Sequence, residues 1–180
     1  RPRGTEIAGN GKSEGVVPWA KIYDSTIIAT NQGNVRRGAA SVNLDIEHPD
    51  IKEFLQIRRP KGDPNRQCLN LHQCVVVGDT FMRKLESRDP EALEVWATVL
   101  KARMETGEPF LIFLDTANSK LPYWLKEREL KIHGSNLCTE IFLPTSPERT
   151  AVCCLSSLNL EYFDDWKDNP DFILDVMEML

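Results

Sequence analysis

This sequence has no long hydrophobic run. Its longest apolar stretches, such as Phe110-Leu111-Ile112-Phe113-Leu114, fall far short of the roughly 20 residues a membrane-spanning helix needs, so no membrane role is expected. It has no basic surplus either. Lys and Arg number 22 against 27 Asp and Glu, a formal charge of −5, which argues against a nucleic-acid surface. A disulfide framework is also missing. The five cysteines, Cys68, Cys74, Cys138, Cys153 and Cys154, are odd in number, are not densely spaced and form no Cys-x-x-Cys pair. That usage points to a reducing, cytoplasmic setting, where paired cysteines tend to be catalytic rather than structural. The first residues do not read as a secretory signal. There is no internal repeat and no low-complexity tract. The chain opens on Arg1-Pro2-Arg3-Gly4 without an initiator methionine. It closes on Asp171 to Leu180, a helical-looking stretch with no Gly or Pro stop. The expectation is an internal piece of a longer protein.

What is present suits one soluble domain. The 180 residues, 41% hydrophobic and 27% charged, suffice for a real core. Residues 3–15 carry Gly4, Gly9, Gly11 and Gly15 around Lys12 and read as a loop. Such a loop can cradle phosphate but matches no Walker pattern, and a flexible connector is the simpler reading. Pro18 opens a helix through about Asn31, with Trp19, Ile22, Tyr23 and Ile27 at helical spacing. Gly33 is its stop, followed by a short basic turn through Arg36 and Arg37. Val42, Leu44 and Ile46 alternate as a strand over 39–46. Asp50 and Glu53 have capping-box spacing for a helix over 51–58. A charged turn over 58–66 precedes a second strand with Leu69, Leu71, Val75 and Val77 alternating. Asp79 is placed to cap a short helix. Asp89-Pro90-Glu91 starts a longer one through Thr106, with Leu93, Trp96, Leu100 and Met104 as the buried stripe. Gly107 ends it. The run 110–114 reads as a strand covered on both faces. Pro122 begins a short helix, two strands are expected at 141–143 and 151–160, and a helix closes the chain. Strands alternating with helices predict an α/β domain with largely parallel pairing.

The chemistry concentrates in Ser135-Asn136-Leu137-Cys138-Thr139-Glu140. In an extended segment residues two apart share a side, so Asn136, Cys138 and Glu140 would bring an amide, a thiol and a carboxylate together. A thiol in an apolar pocket stays protonated and can give up a hydrogen atom. Glu140 can act as general base on a hydroxyl, and Asn136 can hold a second one. Cys153 can supply reducing equivalents if a partner thiol lies nearby. A buried cysteine beside a surface acid is the plainer reading of the same residues. Cys153 and Cys154 can form a vicinal disulfide, although alternation points them to opposite faces. Cys68, His72 and Cys74 share one side of the second strand. They can bind zinc only with a fourth ligand that is not evident, so ordinary core residues are preferred. His48 and His133 read as structural, Tyr123 and Trp124 as packing, and the acidic run Glu161 to Asp168 as a solvated loop.

Four ordered stretches carry a family resemblance. Ser135-Asn136-Leu137-Cys138-Thr139-Glu140-Ile141 resembles the active-site finger loop of the large (α) subunit of ribonucleotide reductase. Ala151-Val152-Cys153-Cys154-Leu155-Ser156-Ser157-Leu158-Asn159-Leu160 resembles that family's strand with a redox cysteine. Asn31-Gln32-Gly33-Asn34-Val35-Arg36-Arg37-Gly38-Ala39-Ala40 is similar to the loop linking effector and substrate sites. Glu108 to Asn118 is similar to the strand before the finger. The resemblance spans residues 1 to about 165 in the right order.

The resemblance implies part of a ten-stranded α/β barrel with a central finger loop. Residues 1–180 would lie in one catalytic barrel domain, with a Gly-rich loop at 1–15, a specificity loop at 32–40 and the finger at 135–141. It implies ribonucleotide reduction under control by nucleoside triphosphate effectors. Cys138 would be the transient thiyl radical that takes the 3′ hydrogen. Glu140 would accept the 3′-hydroxyl proton, and Asn136 would bind ribose hydroxyls. Cys153, which keeps the family register, would be one of two thiols oxidised to a disulfide as the 2′-hydroxyl leaves. Gln32, Gly33, Arg36 and Arg37 would lie on the specificity loop. No metal is expected on this segment. Cobalamin-dependent relatives tend to have proline before the finger cysteine, and Leu137 stands here, so the radical would come from a separate metal-containing small (β) subunit. A thioredoxin- or glutaredoxin-type reductant, an α homodimer and the rest of the α chain are the other implied partners. The partner of Cys153 would lie before residue 1, and the tyrosine relay and shuttle cysteines beyond Leu180. A non-catalytic nucleotide-binding fragment and a thiol-disulfide oxidoreductase using Cys138 and Cys153 are the alternatives.

Overall fold

A computed structural model of the chain describes residues 1–31 and 37–180. Three strands, β3 (Ala40–Asp45), β4 (Leu71–Val77) and β5 (Phe110–Phe113), pair in parallel in the order β3-β4-β5. Parallel neighbours need crossovers. The short helix α2 (Ile51–Phe54) lies on the first, and α3 (Asp79–Glu86) and α4 (Pro90–Thr106) form the second. Ahead of the sheet, β1 (Glu6–Ile7) and β2 (Gly11–Lys12) form a small antiparallel hairpin, followed by α1 (Val17–Ala29). The glycine-rich stretch is therefore a hairpin rather than a plain loop. Helices α5 (Leu114–Ser119), α6 (Tyr123–Lys126), α7 (Phe163–Trp166) and α8 (Phe172–Met179) follow β5.

The main core cluster lies on one face of the sheet, while Cys74, Val76 and Ile112 are buried on the other. In that cluster Leu71, Val75 and Val77 of β4 are buried against Val17 and Ala20 of α1, Phe54 of α2, and Val95, Val99 and Ala102 of α4. Both long helices turn most of their expected apolar residues away from the sheet, and of those in α1 only Ile27 is buried. In α1 the buried positions are Val17, Ala20, Asp24 and Ile27, while Trp19, Ile22 and Tyr23 are 68%, 55% and 61% exposed. In α4 they are Ala92, Val95, Val99 and Ala102, while Leu93, Leu100 and Met104 are exposed and Trp96 only packs at the edge. Small and β-branched side chains let a helix axis approach the sheet closely, and bulky ones would hold it off. Asp24 is tolerated inside because its carboxylate accepts from Asn70 N at 2.8 Å and from Lys21 Nζ at 3.4 Å.

The caps differ from the local reading as well. Asp89 does cap α4, accepting from Ala92 N at 2.9 Å, and Gly107 closes that helix at φ 79°. Asp50 makes no cap bond to its own helix α2, which stops at Phe54. Its buried carboxylate instead accepts from Arg3 N at 2.9 Å and Val16 N at 3.1 Å, tying the hairpin and the start of α1 to the β3–α2 turn. Likewise the first N–H of α3, on Asp79, is satisfied by Asp115 at 2.7 Å, not by a cap from Asp79 itself. Asp50→Ala removes two charge-assisted bonds and leaves two N–H groups without them. It is expected to lower the unfolding free energy by about 3 kcal/mol, with a smaller loss for Asp50→Asn, both read as shifts in the urea midpoint.

Later elements depart further. β5 is an edge strand here, with Phe113 at 43% exposure. Residues 141–143 and 151–159 form no ladder, and Ser146–Arg149 is an isolated bridge between them. A strand exists only with a neighbour to pair with, and these segments meet none among the described residues. The acidic run is not a plain loop: a 3-10 turn over Leu160–Tyr162 leads into α7, whose Trp166 stacks on Phe172 at 5.1 Å. Cys68 belongs to the helix-side core, whereas Cys74 of β4 lies on the opposite face with Val76, so the expected Cys68–His72–Cys74 face does not form.

Candidate functional site

The finger segment is a closed turn, not an extended strand. Asn136 N donates to Ile141 O at 3.1 Å, and Thr139 N donates to Asn136 O at 3.1 Å. The Asn136 side chain fills the ring. Its Oδ1 accepts from Glu140 N at 3.1 Å and Ile141 N at 3.0 Å, and its Nδ2 donates to Glu140 Oε1 at 2.8 Å. Thr139 takes φ +66° to complete the turn, a costly conformation for a β-branched residue. Asn136 and Glu140 thus meet at the base and Cys138 is exposed at the tip. The expected convergence of amide and carboxylate is present, but a turn produces it instead of strand alternation. Asn118 of α5 positions the loop from behind: its Oδ1 accepts from Ile132 N at 2.9 Å and its Nδ2 donates to Ile132 O at 3.0 Å.

A cavity of about 370 Å³ adjoins the base of this loop. Asn43, His133, Ser135, Asn136, Thr145 and Cys153 are among the residues that line it. Cys153 therefore shares a wall with Asn136, whereas Cys138, Glu140 and Cys154 are not part of the lining. Cys138 lies open at the surface, outside any apolar enclosure. Of the specificity-loop positions, Gln32, Gly33 and Arg36 lie outside the described residues. Arg37 is exposed at the loop's far end, where Gly38 N donates to Asn31 Oδ1 at 2.7 Å and draws the two ends together.

His72 does not face a thiol cluster. Its Nδ1 lies 2.6 Å from Glu108 Oε1, and Glu108 Oε2 accepts from Gln73 N at 2.8 Å. Burial pushes the Cys68 thiol up to about 11, with nearby Asp24 adding to the rise, and the Cys74 thiol up to about 12. Both folded thiols ionise above their ordinary value of 9.0. The stability they contribute is full below that value and is lost as pH rises toward about 12. Iodoacetamide at pH 8 is expected to modify Cys138, Cys153 and Cys154 of this chain, leaving Cys68 and Cys74 unmodified until denaturant is added. Peptide mass spectrometry reads the pattern.

Three contributors escaped the sequence reading. Asn118, Asn43 and Gly134 act through distant contacts. One signal was available: Ser41, Asn43 and Asp45 form a polar alternate row along β3, and asparagine is disfavoured within strands.

Comparison with known proteins fixes the family. The family model described as ribonucleotide reductase, barrel domain, matches residues 1–91 and 87–179. This chain belongs to that family. It is 46% identical over 186 aligned residues to the protein assigned as ribonucleoside-diphosphate reductase large subunit in Frog virus 3, covering 95% of this chain and 33% of that one. It is 36% identical to the large subunit of Invertebrate iridescent virus 3, with 94% of this chain and 38% of the relative covered. The Actinobacillus ureae class Id ribonucleotide reductase alpha subunit superposes with a TM-score of 0.72 at 39% identity, over 94% of this chain and 30% of that structure. The chain thus spans about a third of the length of these relatives. The ribonucleotide reductase resemblance read from the four motifs holds at the level of the family and its mixed α/β fold. No helix among the described residues is long and apolar enough to cross a membrane, and no group of three or more His, Cys, Asp and Glu is arranged there to hold a metal.

Proposed function

We propose that this chain is part of the catalytic barrel of a ribonucleotide reductase α subunit, and that its finger loop reduces ribonucleotides through a thiyl radical on Cys138. One observation carries the reading: Asn136 bonds Glu140 across the base of a turn whose tip is Cys138. The Cys138 radical takes the 3′ hydrogen while Glu140 accepts the 3′-hydroxyl proton. The 2′-hydroxyl leaves as water. Cys153 and a partner thiol supply two electrons and end as a disulfide, and Cys138 returns hydrogen to C3′. Asn136 has a narrower role than free ribose binding. Its Oδ1 already takes two backbone donors, so one N–H of its amide is left for a substrate hydroxyl.

The wider assembly follows from the same reading. The relatives' names favour diphosphate substrates. A β subunit with its metal supplies the radical, and a thioredoxin- or glutaredoxin-type protein reduces the disulfide in the cytoplasm. Effector nucleotides act through the loop at 32–40. Its ends are stapled between α1 and β3, and β3 supplies Asn43 to the cavity wall. The outward Trp19, Ile22 and Tyr23 of α1 offer an apolar face to a second α chain, which supports a homodimer. The remaining strands of the ten-stranded barrel would come from the rest of the α polypeptide and would supply neighbours for residues 141–143 and 151–159. The test is reconstitution of the complete α subunit with its β partner and a dithiol reductant. Deoxyribonucleoside diphosphate formation is the expected result, and binding of nucleotides without reduction would reject the reading.

A further inference from the structure

Asn43 stands in the middle of β3, on the sheet face opposite the helix-side core, in one row with Cys74 and Phe110. Its side chain is exposed and lines the cavity beside Asn136. Among the described residues its amide has no protein hydrogen-bond partner. The chain entering the finger loop passes directly over it at Gly134. A Cβ added at Gly134 would lie 2.6 Å from Asn43 Nδ2, closer than real Cβ contacts occur. Gly134 has no positive φ, so its backbone does not require glycine; clearance does. The cavity lining contains no Lys, Arg, Asp or Glu. Apart from His133 and the Cys153 thiol, the polar side chains of this wall are the amides of Asn43 and Asn136 and the hydroxyls of Ser135 and Thr145, which suit a neutral hydroxylated group.

We infer that Asn43 is a substrate-binding residue that holds a sugar hydroxyl of the ribonucleotide beside Asn136, and that Gly134 is a positioning residue that keeps the Asn43 amide in place. The inference rests on the proposed ribonucleotide reduction at this loop. An amide offers both a donor and an acceptor, so it can bond a hydroxyl whichever way the proton points. The bond exists in ground and transition states alike, so its loss raises Kd and KM more than it lowers kcat.

The test measures equilibrium binding of a ribonucleoside 5′-diphosphate to the complete α subunit, and turnover with the β partner, for wild type, Asn43→Ala, Gly134→Ala and the double variant. Asn43→Ala is expected to raise Kd and KM about 3- to 10-fold, the worth of one neutral hydrogen bond, with kcat within about twofold. Gly134→Ala is expected to do the same by displacing the amide. In the Asn43→Ala background it should add less than about twofold, because the clash is gone. A role confined to packing would instead lower the melting temperature and leave Kd unchanged. If wild type binds and reduces the nucleotide but Asn43→Ala binds equally well, the inference falls and the proposed function stands. Binding weakened by Asn43→Ala in a protein that performs no reduction would uphold the inference and reject the chemistry. An absence of ribonucleotide binding by the wild type would reject both.

Discussion

Cys138→Ser in the complete α subunit is expected to abolish deoxyribonucleotide formation, a loss of at least about a thousandfold, since an essential reacting atom is removed. The hydroxyl is close in shape to the thiol and is the better hydrogen-bonding group. Its O–H bond, however, is too strong to give up hydrogen to an incoming radical or to return it to a sugar carbon. Cys138 sits at the exposed tip of the finger and contributes little to packing, so the variant should fold normally and bind ribonucleotide with a Kd within about twofold of wild type. Cys154→Ser is the matched control. Cys154 is exposed but absent from the cavity wall, and its replacement should leave turnover unchanged. Appreciable turnover by Cys138→Ser would move the chemistry away from this loop.

Asn136→Ala should have the next largest effect. The Asn136 amide makes three of the bonds that close the turn, two accepted from the Glu140 and Ile141 backbones and one donated to the Glu140 carboxylate. Without them the carboxylate has no fixed position relative to the Cys138 tip. Misplacement of a reacting group by about 1 Å costs on the order of 10²-fold, and kcat is expected to fall by about that much. Hydrogen exchange at the Glu140 and Ile141 amides should speed up, because both lose their acceptor. The rest of the fold does not lean on this turn, so the melting temperature should move little. Asn136→Asp separates the two contributions. It keeps the acceptor oxygens and so the closed turn, but sets a carboxylate against Glu140 Oε1, now 2.8 Å from Nδ2. Slow amide exchange with low kcat is the expected combination.

Several of these features were legible in the residue order. The finger residues, the Asp89 cap and the Gly107 stop are local, and local chemistry determines them. The parallel order β3-β4-β5 follows from strands that alternate with helices. What could not be read depends on contacts between distant residues. Trp19 and Met104 look like core by spacing but face outward, because Ala20 and Ala102 allow the closer approach. Asp50 has the spacing to cap α2, yet it bonds Arg3 and Val16, far away in sequence. The same limit applied to the site. Strand alternation would set Asn136, Cys138 and Glu140 on one side, whereas the Asn136 side chain folds the segment back on itself. Residues 151–159, expected as a strand, have no neighbour to pair with among the described residues. Asn43 and Gly134 could not be linked from sequence at all, since their contact exists only where the loop crosses β3.

The Cys138 sulfur is expected to face the ribose when substrate is present. A crystal structure of the complete α subunit with a bound ribonucleoside diphosphate measures this directly. Sγ is predicted to lie within about 4 Å of the ribose C3′, with the Glu140 carboxylate beside the 3′-hydroxyl and Cys153 on the 2′ side. A sugar bound away from the finger, with Sγ turned into side-chain packing, would contradict it.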